Sequence, residues 1–130
     1  MVGFPGETEQ EFRQTCDFLE SLPLTYLHIF PYSERPGTPA AERQDQVPWQ
    51  VRKERGRILK KIAARKNDEF RRTMIGRTLS AVTLHNGAAI TSNYLTVELA
   101  SARPAPELVD LRIGALSETG LREYNAFAVL

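Results

Sequence analysis

The chain has 130 residues, of which 42% are hydrophobic and 25% are charged, and its net charge is +1. This composition is typical of one ordinary globular domain or two small ones, and it excludes a disordered chain. No apolar run approaches the roughly 20 residues that cross a bilayer, and no targeting segment is visible, so we expect a cytoplasmic protein with no membrane partner. The single cysteine, Cys16, excludes an internal disulfide and a multi-cysteine metal site supplied by this chain alone.

The charge is distributed unevenly along the chain. Residues 1–46 carry a net charge of −5, residues 47–77 carry +8 and residues 78–130 carry −2. Cations at this density are typical of a phosphate-binding strip, because neutralising nucleic-acid phosphates releases counterions. The alternative is a solvated helix face, which is the commoner origin of a run of charges.

A capping box predicts where the first helix begins. Thr8 is followed three residues later by Glu11, and in this motif each side chain accepts a hydrogen bond from the other residue's amide. An apolar stripe follows at spacings of four and three, formed by Phe12, Cys16 and Leu19. Within it we expect Cys16 to be a packing residue and not a reactive thiol. Leu22 and Pro23 should end the helix.

A buried strand is predicted at residues 26–30, an aromatic and β-branched run bounded by prolines. Helix followed by strand is the repeating unit of a parallel α/β layer. The loop after this strand contains hydroxyl and charged groups at the strand's carboxyl end, where α/β sheets and barrels keep their sites. An ordinary surface turn is the alternative. His28, inside the strand, is either a base or ligand or, more commonly, a packing residue.

A long amphipathic helix is predicted over residues 49–73, with Pro48 in its first turn. Its apolar face is expected to comprise Val51, Ile58, Leu59, Ile62, Ala63 and Phe70. Basic side chains occupy most of the remaining surface. Such a helix can bind RNA, lie on anionic lipid or connect two domains, and the scarcity of bulky apolar residues makes the lipid alternative the weakest.

From residue 75 the hydrophobic period changes from about four to two, which predicts strands. A β-rich run at residues 78–84 precedes Asn86-Gly87, a pair typical of hairpin turns in which both central residues take positive φ. Strands are further predicted at residues 93–100, 108–113 and 121–130. Four or five short strands predict a small closed antiparallel barrel, since closure removes exposed strand edges.

No group of residues supports catalysis by this chain alone. The sequence has no nucleophile with a neighbouring histidine and no glycine-rich loop ending in Lys-Ser or Lys-Thr, and its only imidazoles are those of His28 and His85.

Three features, in this order, resemble the carboxyl-terminal part of the radical S-adenosylmethionine methylthiotransferases. They are a Gly-Phe-Pro-Gly-Glu-Thr turn at residues 3–8, a Tyr-Ser-Xaa-Arg-Xaa-Gly-Thr loop at residues 32–38, and a Val-Pro-led basic helix that precedes a TRAM domain. The resemblance implies an α+β fold. The incomplete end of a radical S-adenosylmethionine α/β barrel (helix, strand, long helix) would be followed by a small antiparallel, OB-like barrel. By domain, residues 1–46 would be the barrel fragment, residues 47–73 the basic connecting helix, and residues 74–130 the TRAM barrel.

Within the family, the sequence His-Ile-Phe-Pro-Tyr-Ser at residues 28–33 is most similar to the branch that acts on N6-threonylcarbamoyladenosine beside the tRNA anticodon. The isopentenyladenosine branch usually lacks a proline matching Pro31. The ribosomal-protein branch usually has Glu-Gly-Thr where this chain has Arg-Pro-Gly-Thr at residues 35–38. The alternatives left open are that ribosomal-protein branch and a stand-alone, non-catalytic RNA- or protein-binding module.

The resemblance implies a parent enzyme that uses S-adenosylmethionine and two 4Fe–4S clusters. The cluster-binding cysteines are absent here, so we expect this chain to be inactive alone, to bind no cofactor or metal, and to contain no catalytic residue. Its expected partners are tRNA, the amino-terminal domains of the same protein, and another copy through exposed barrel surface.

The resemblance also assigns residues to three groups. The cofactor side of the barrel mouth would be lined by Gly3, Phe4, Pro5, Gly6 and Glu7. The substrate-facing loop would present Tyr32, Ser33 and Arg35. Phosphate contacts to tRNA would come from Arg52, Lys53, Arg57, Lys60, Lys61, Arg71, Arg72 and Arg77.

Overall fold

The computed structural model describes residues 1–127, and the chain divides into two compact units. The amino-terminal unit comprises Met1–Asp68 and the carboxyl-terminal unit comprises Glu69–Leu130. The boundary between them falls inside the long helix α2, which spans Trp49–Arg72. No helix among the described residues is both long enough and apolar enough to cross a membrane.

Helix α1 spans Glu9–Ser21, and both of its ends are where the sequence predicts them. Thr8 is the N-cap: its hydroxyl accepts a hydrogen bond from the Glu11 amide at 3.1 Å, and the Glu11 carboxylate accepts one from the Thr8 amide at 2.8 Å. The Thr8 amide is the main cause that holds the pKa of Glu11 below its usual value of 4.5. A lowered folded-state pKa means that this contact stabilises the helix above pH 4.5 and is lost as the pH falls through the folded-state value.

The strand predicted at residues 26–30 is wrong. The only pairing of this segment within residues 1–127 is an isolated parallel bridge, in which the Val2 amide donates to the Phe30 carbonyl at 2.9 Å and the Tyr32 amide donates to the Val2 carbonyl at 2.8 Å. Tyr26 and Phe30 are exposed, by 68% and 61%, as is His28 between them. A strand needs a neighbour along its length, and within residues 1–127 Val2 alone provides one.

The core of the amino-terminal unit packs α1 against α2. Its buried side chains are Val2, Phe12 and Leu59, and half-buried Cys16, Leu19, Ile29, Ile58 and Ile62 surround them. The stripe predicted on α1 is therefore confirmed, and Cys16 is a packing residue whose thiol pKa is raised chiefly by burial.

Helix α2 begins at the predicted residue, but its first two turns do not bury the predicted side chains. Arg52, Arg55 and Gly56 are buried there, whereas Val51 is 36% exposed. The apolar face continues as predicted through Ile58, Leu59 and Ile62.

The carboxyl-terminal unit is a closed barrel of five strands. These are β1 (Thr78–Thr83), β2 (Ala88–Thr91), β3 (Thr96–Glu98), β4 (Leu108–Leu116) and β5 (Leu121–Glu123), in the order β1-β2-β3-β5-β4. All pairs are antiparallel except β3 with β5, so the barrel is mixed where a purely antiparallel one was expected. An α+β chain with a small closed barrel is confirmed. The strand predicted at residues 121–130 is shorter than expected, because β5 ends at Glu123 and residues 124–127 are not in a strand; residues 128–130 lie outside the described residues.

The barrel interior is filled by the inward-facing residues of all five strands, as the period of two along each strand predicts, together with Met74 and Leu95, which precede β1 and β3. The strand residues are Ala81, Ala89, Val97, Leu111, Ile113 and Leu121, and Phe70 of α2 packs against the cluster. Alternation fixes each strand's face, because a slip of one residue would turn this set outward.

The turn between β1 and β2 differs from the predicted one. The Leu84 amide donates to the Ala88 carbonyl at 2.8 Å, which leaves a loop of three residues between them. Only Gly87 has positive φ, at 77°, while Asn86 does not. A three-residue loop requires a single left-handed position, so the two-residue hairpin turn expected from Asn86-Gly87 is wrong.

Candidate nucleic-acid interface

The structure brings the two motif-bearing turns together in the amino-terminal unit. The bridge between Val2 and Pro31 places the turn of residues 3–7 beside the loop that starts at Tyr32. The Phe4 and Tyr32 rings meet edge to face, with centroids 5.4 Å apart. The sequence motifs are thus neighbours in space, although more than twenty residues separate them in the chain.

Arg52 holds the loop of residues 32–34 against α2. Arg52 was expected to contact phosphates, but the residue is only 6% exposed. Nε donates to the Val47 carbonyl at 2.6 Å, and Nη2 donates to Glu34 Oε1 at 2.9 Å. The guanidinium carbon lies 5.0 Å from the Tyr32 ring centroid. Buried and hydrogen-bonded in this way, Arg52 is a structural residue, and we leave it out of the proposed nucleic-acid surface.

Glu7 and Arg55 tie the first turn to α2. Arg55 Nη1 donates to Glu7 Oε1 at 2.7 Å and to the Glu7 carbonyl at 2.9 Å, and the Gly3 amide donates to the same carboxylate oxygen at 3.0 Å. Gly3 has φ of 75°, and a Cβ there would lie 2.6 Å from Arg52 Cγ. Gly3 and Glu7 were expected to line the cofactor side of the barrel mouth. In the structure both contribute to the packing of this turn on α2.

The remaining members of the two expected ligand groups differ in exposure, and Pro5 is buried. Phe4 and Gly6, together with Arg43, are among the residues that line an open cavity of about 610 Å³. Ser33 and Arg35 are exposed. Tyr32 is buried, and its hydroxyl has no hydrogen-bond partner within the described part of the chain.

Apart from buried Arg52 and Arg55, the cations of α2 in the amino-terminal unit fall into two classes. Within the described residues, four make no hydrogen bond or ion pair with α1, and two, Arg65 and Lys66, are bonded to it. Lys53, Lys60 and Lys61 are exposed and make no hydrogen bond or ion pair with any described residue. Arg57 is exposed and paired with Glu54, where the Arg57 hydrogen bond lowers the pKa of the Glu54 carboxyl. Lys66, by contrast, donates to the carbonyls of Glu20 and Leu22 at the carboxyl end of α1, at 2.9 and 2.7 Å. The first class is available to phosphates, while Lys66 completes the end of a helix.

In the carboxyl-terminal unit, Arg71 is half-buried and Nη1 donates to the carbonyls of Ser117 and Gly120, at 3.3 and 3.1 Å. It joins the end of α2 to the turn before β5. Arg72 and Arg77 are exposed.

A second cleft, of about 490 Å³, lies along the first half of α2 in the amino-terminal unit. Its aromatic side chain, Trp49, is 62% exposed and was predicted only as the start of the helix. The available signal was its spacing, because Lys53, Arg57 and Lys60 follow it at intervals that place all four on one helix face.

The chain does not fit an iron–sulfur cluster. Among residues 1–127 no group of three or more histidine, cysteine or carboxylate side chains could hold a metal ion, and Cys16 is the one thiol. A 4Fe–4S cluster requires several cysteine thiolates.

No family model matches this chain. Comparison with curated proteins finds the threonylcarbamoyladenosine tRNA methylthiotransferase MtaB of Aquifex aeolicus, 37% identical over 113 residues, which cover 87% of this chain and 28% of the relative. The tRNA-2-methylthio-N(6)-dimethylallyladenosine synthase of Wolbachia pipientis wMel is 46% identical over 79 residues, 61% of this chain and 18% of the relative. The ribosomal protein uS12 methylthiotransferase RimO of Chlamydia pneumoniae is 43% identical over 82 residues, 63% of this chain and 18% of the relative.

The chain thus spans between 18% and 28% of the length of these curated relatives. The barrel of five strands is consistent with the TRAM-like domain that the sequence motifs implied. The chain is homologous to the carboxyl-terminal region of the tRNA and ribosomal-protein methylthiotransferases, which confirms the family resemblance drawn from its motifs.

Proposed function

We propose that the chain is the tRNA-holding part of a methylthiotransferase that adds a methylthio group to C2 of N6-threonylcarbamoyladenosine beside the anticodon. The observation that carries this choice of branch is the extent of similarity. The match to the Aquifex MtaB covers 87% of the chain, whereas the matches to the Wolbachia and Chlamydia relatives cover 61% and 63%. The identity to the Aquifex protein is lower, at 37% against 46% and 43%, but that match extends over more of the chain.

The proposed role of α2 is to contact tRNA phosphates. Lys53, Lys60 and Lys61 are exposed without a partner among the described residues, and Arg57 adds a fourth exposed cation on the same helix. Contacts of this kind position an RNA without reading its sequence. In the carboxyl-terminal unit the proposed contacts are Arg72 and Arg77, while the barrel itself, with a negative net charge over residues 78–130, would act through its shape.

The parent enzyme would be a radical S-adenosylmethionine protein with two 4Fe–4S clusters, and the donors for those clusters would come from other segments. With one half-buried thiol, this chain would be inactive alone. We propose that Phe4 and Gly6 line the cofactor side of the parent enzyme's barrel mouth, where the Glu7–Arg55 ion pair holds their turn in place. Ser33 and Arg35, which are exposed, would face the substrate.

A further partner would be the amino-terminal domains of the same protein. The exposed segment at residues 26–30 supports this proposal, because it presents the alternate side chains of Tyr26, His28 and Phe30, and one bridge is its sole pairing among the described residues. Backbone groups left unpaired in this way are a template for pairing with a further strand.

The choice of substrate is tested by mass spectrometry on a strain from which the gene has been deleted. We expect the tRNA nucleosides to lose the methylthio form of N6-threonylcarbamoyladenosine and to retain that of N6-dimethylallyladenosine. Loss of the dimethylallyl form alone, or of a methylthio group from ribosomal protein uS12, would assign the chain to another branch.

The role of α2 is tested by neutralising two exposed lysines. We expect Lys60→Gln with Lys61→Gln to weaken binding of unmodified tRNA about twentyfold at ~0.1 M salt, because two phosphate contacts are lost. Binding is measured by fluorescence anisotropy across a salt series, in which the variant should show a shallower slope. The control is Arg13→Gln with Arg122→Gln, which removes the same charge from two exposed surface pairs. Equal weakening by both variants would mean that net charge, and not the helix, governs binding.

A further inference from the structure

The cleft along α2 combines an aromatic face with unpaired cations. Its lining includes Pro31, Trp49, Lys53, Gly56, Arg57 and Lys60. Trp49 is 62% exposed, and it is the chain's single tryptophan. An indole presented to solvent inside a concave surface has a free π-face that a flat ring can cover.

The charges around this indole favour an anionic ligand. Lys53 and Lys60 have no partner among the described residues, and the one carboxylate of the lining, Glu54, is already bonded by Arg57 at 2.8 and 2.9 Å. The two lysines are seven residues apart, about 10 Å along the helix axis. They can therefore contact separate phosphates on either side of a group that lies on Trp49.

We propose that this cleft binds one unpaired nucleotide of a single-stranded RNA segment, with the base stacked on Trp49 and the flanking phosphates on Lys53 and Lys60. The inference rests on the proposed RNA-binding function and adds to it a base-stacking site. A base inside a duplex keeps its faces covered by its neighbours, so an exposed indole selects an unpaired base. Stacking tolerates every base, so the site would select single strands over duplexes and not one sequence over another.

The chain's own fluorescence reports on this site, because Trp49 is the only tryptophan. The probes are a single-stranded 12-nucleotide oligoadenylate and a duplex RNA of the same length. We expect the single strand to quench tryptophan emission with saturation, and the duplex to bind without a comparable quench.

Variants are measured by the anisotropy of fluorescein-labelled oligoadenylate. We expect Trp49→Ala to weaken binding about tenfold, the loss typical of one stacked base, and Trp49→Phe to weaken it by about threefold or less. Lys53→Gln with Lys60→Gln should lower the salt slope by about 1.4, or 0.7 for each lost phosphate contact to a single strand. The matched control is Phe18→Ala, since Phe18 is 63% exposed on α1 and does not line this cleft.

The outcomes separate this inference from the function on which it rests. Salt-dependent RNA binding with unchanged tryptophan emission and an unaffected Trp49→Ala variant would overturn the stacking site and leave the proposed function standing. Absence of RNA binding by the unmodified chain would overturn both. Tryptophan emission that changes with protein concentration, and not with RNA, would assign the cleft to a second copy of the chain and overturn the proposal.

Discussion

Replacing Gly120 with alanine should lower the free energy of unfolding of the barrel by about 3 kcal/mol, the upper end of the usual cost of overpacking. A Cβ at Gly120 would lie 2.2 Å from the Thr96 carbonyl oxygen, a distance at which the backbone must move. The neighbouring residues Val97 and Leu121 are paired across β3 and β5, so a shift there opens the parallel pair that closes the barrel.

The backbone at Gly120 has little freedom to adjust. Its amide donates to Ser117 Oγ at 3.0 Å, and its carbonyl accepts from the Ser117 amide at 3.1 Å and from Arg71 Nη1 at 3.1 Å. Relief of the clash would therefore stretch or break hydrogen bonds that hold the turn to the end of α2.

The measurement for this variant is amide hydrogen exchange, which reports on β3 and β5 separately from the helices. The control is Gly87→Ala, where φ is 77° and a Cβ would meet nothing within 4 Å, so only backbone strain of about 1–2 kcal/mol is expected. If the amides of β3 and β5 are as well protected from exchange in Gly120→Ala as in Gly87→Ala, β3 and β5 are not paired as described.

Replacing Glu7 with alanine should destabilise the amino-terminal unit by about 3 kcal/mol, because it leaves the buried Arg55 charge without its closest carboxylate. The side chains of Arg55 and Glu7 are 7% and 17% exposed, and Nη1 lies 2.7 Å from Glu7 Oε1. The Gly3 amide loses its acceptor in the same variant. Urea unfolding followed by circular dichroism at 222 nm measures the change.

Two further variants separate burial of a charge from simple loss of a contact. Glu9→Ala removes a carboxylate that is 61% exposed and 3.5 Å from Arg55, so we expect a loss below about 1 kcal/mol. Glu7→Ala combined with Arg55→Met should be more stable than Glu7→Ala alone, because no buried charge is then left unpaired. If Glu7 acted only on a bound cofactor, Glu7→Ala would unfold like the unmodified chain in the absence of that cofactor.

Both predictions concern residues whose importance is hidden at the level of sequence. Gly120 directly precedes β5, and nothing nearby in the sequence shows that β3 approaches it closely. Glu7 was expected to face a cofactor, and its partner Arg55 lies 48 residues away. The sequence motif marks the Gly3–Glu7 turn, and only the packed structure shows that Glu7 is bonded to Arg55 of α2.

The sequence by itself determined the features that depend on neighbouring residues. The Thr8 capping box fixed the start of α1, the apolar stripe fixed which of its sides is buried, and the period of two fixed the faces of the barrel strands. These features follow from hydrogen bonds and side-chain directions that repeat over a few residues, so their pattern is visible in any short window.

Only the tertiary structure decided how distant segments meet. It buried Arg52 and Arg55, which helical periodicity had not distinguished from exposed cations, because carbonyls and carboxylates from residues 7, 32, 34 and 47 converge on them. It left residues 26–30 without a strand, since a β-rich segment needs a partner along its length. It also made β3 and β5 parallel, because their pairing depends on the path of β4 between them and not on the sequence of either strand.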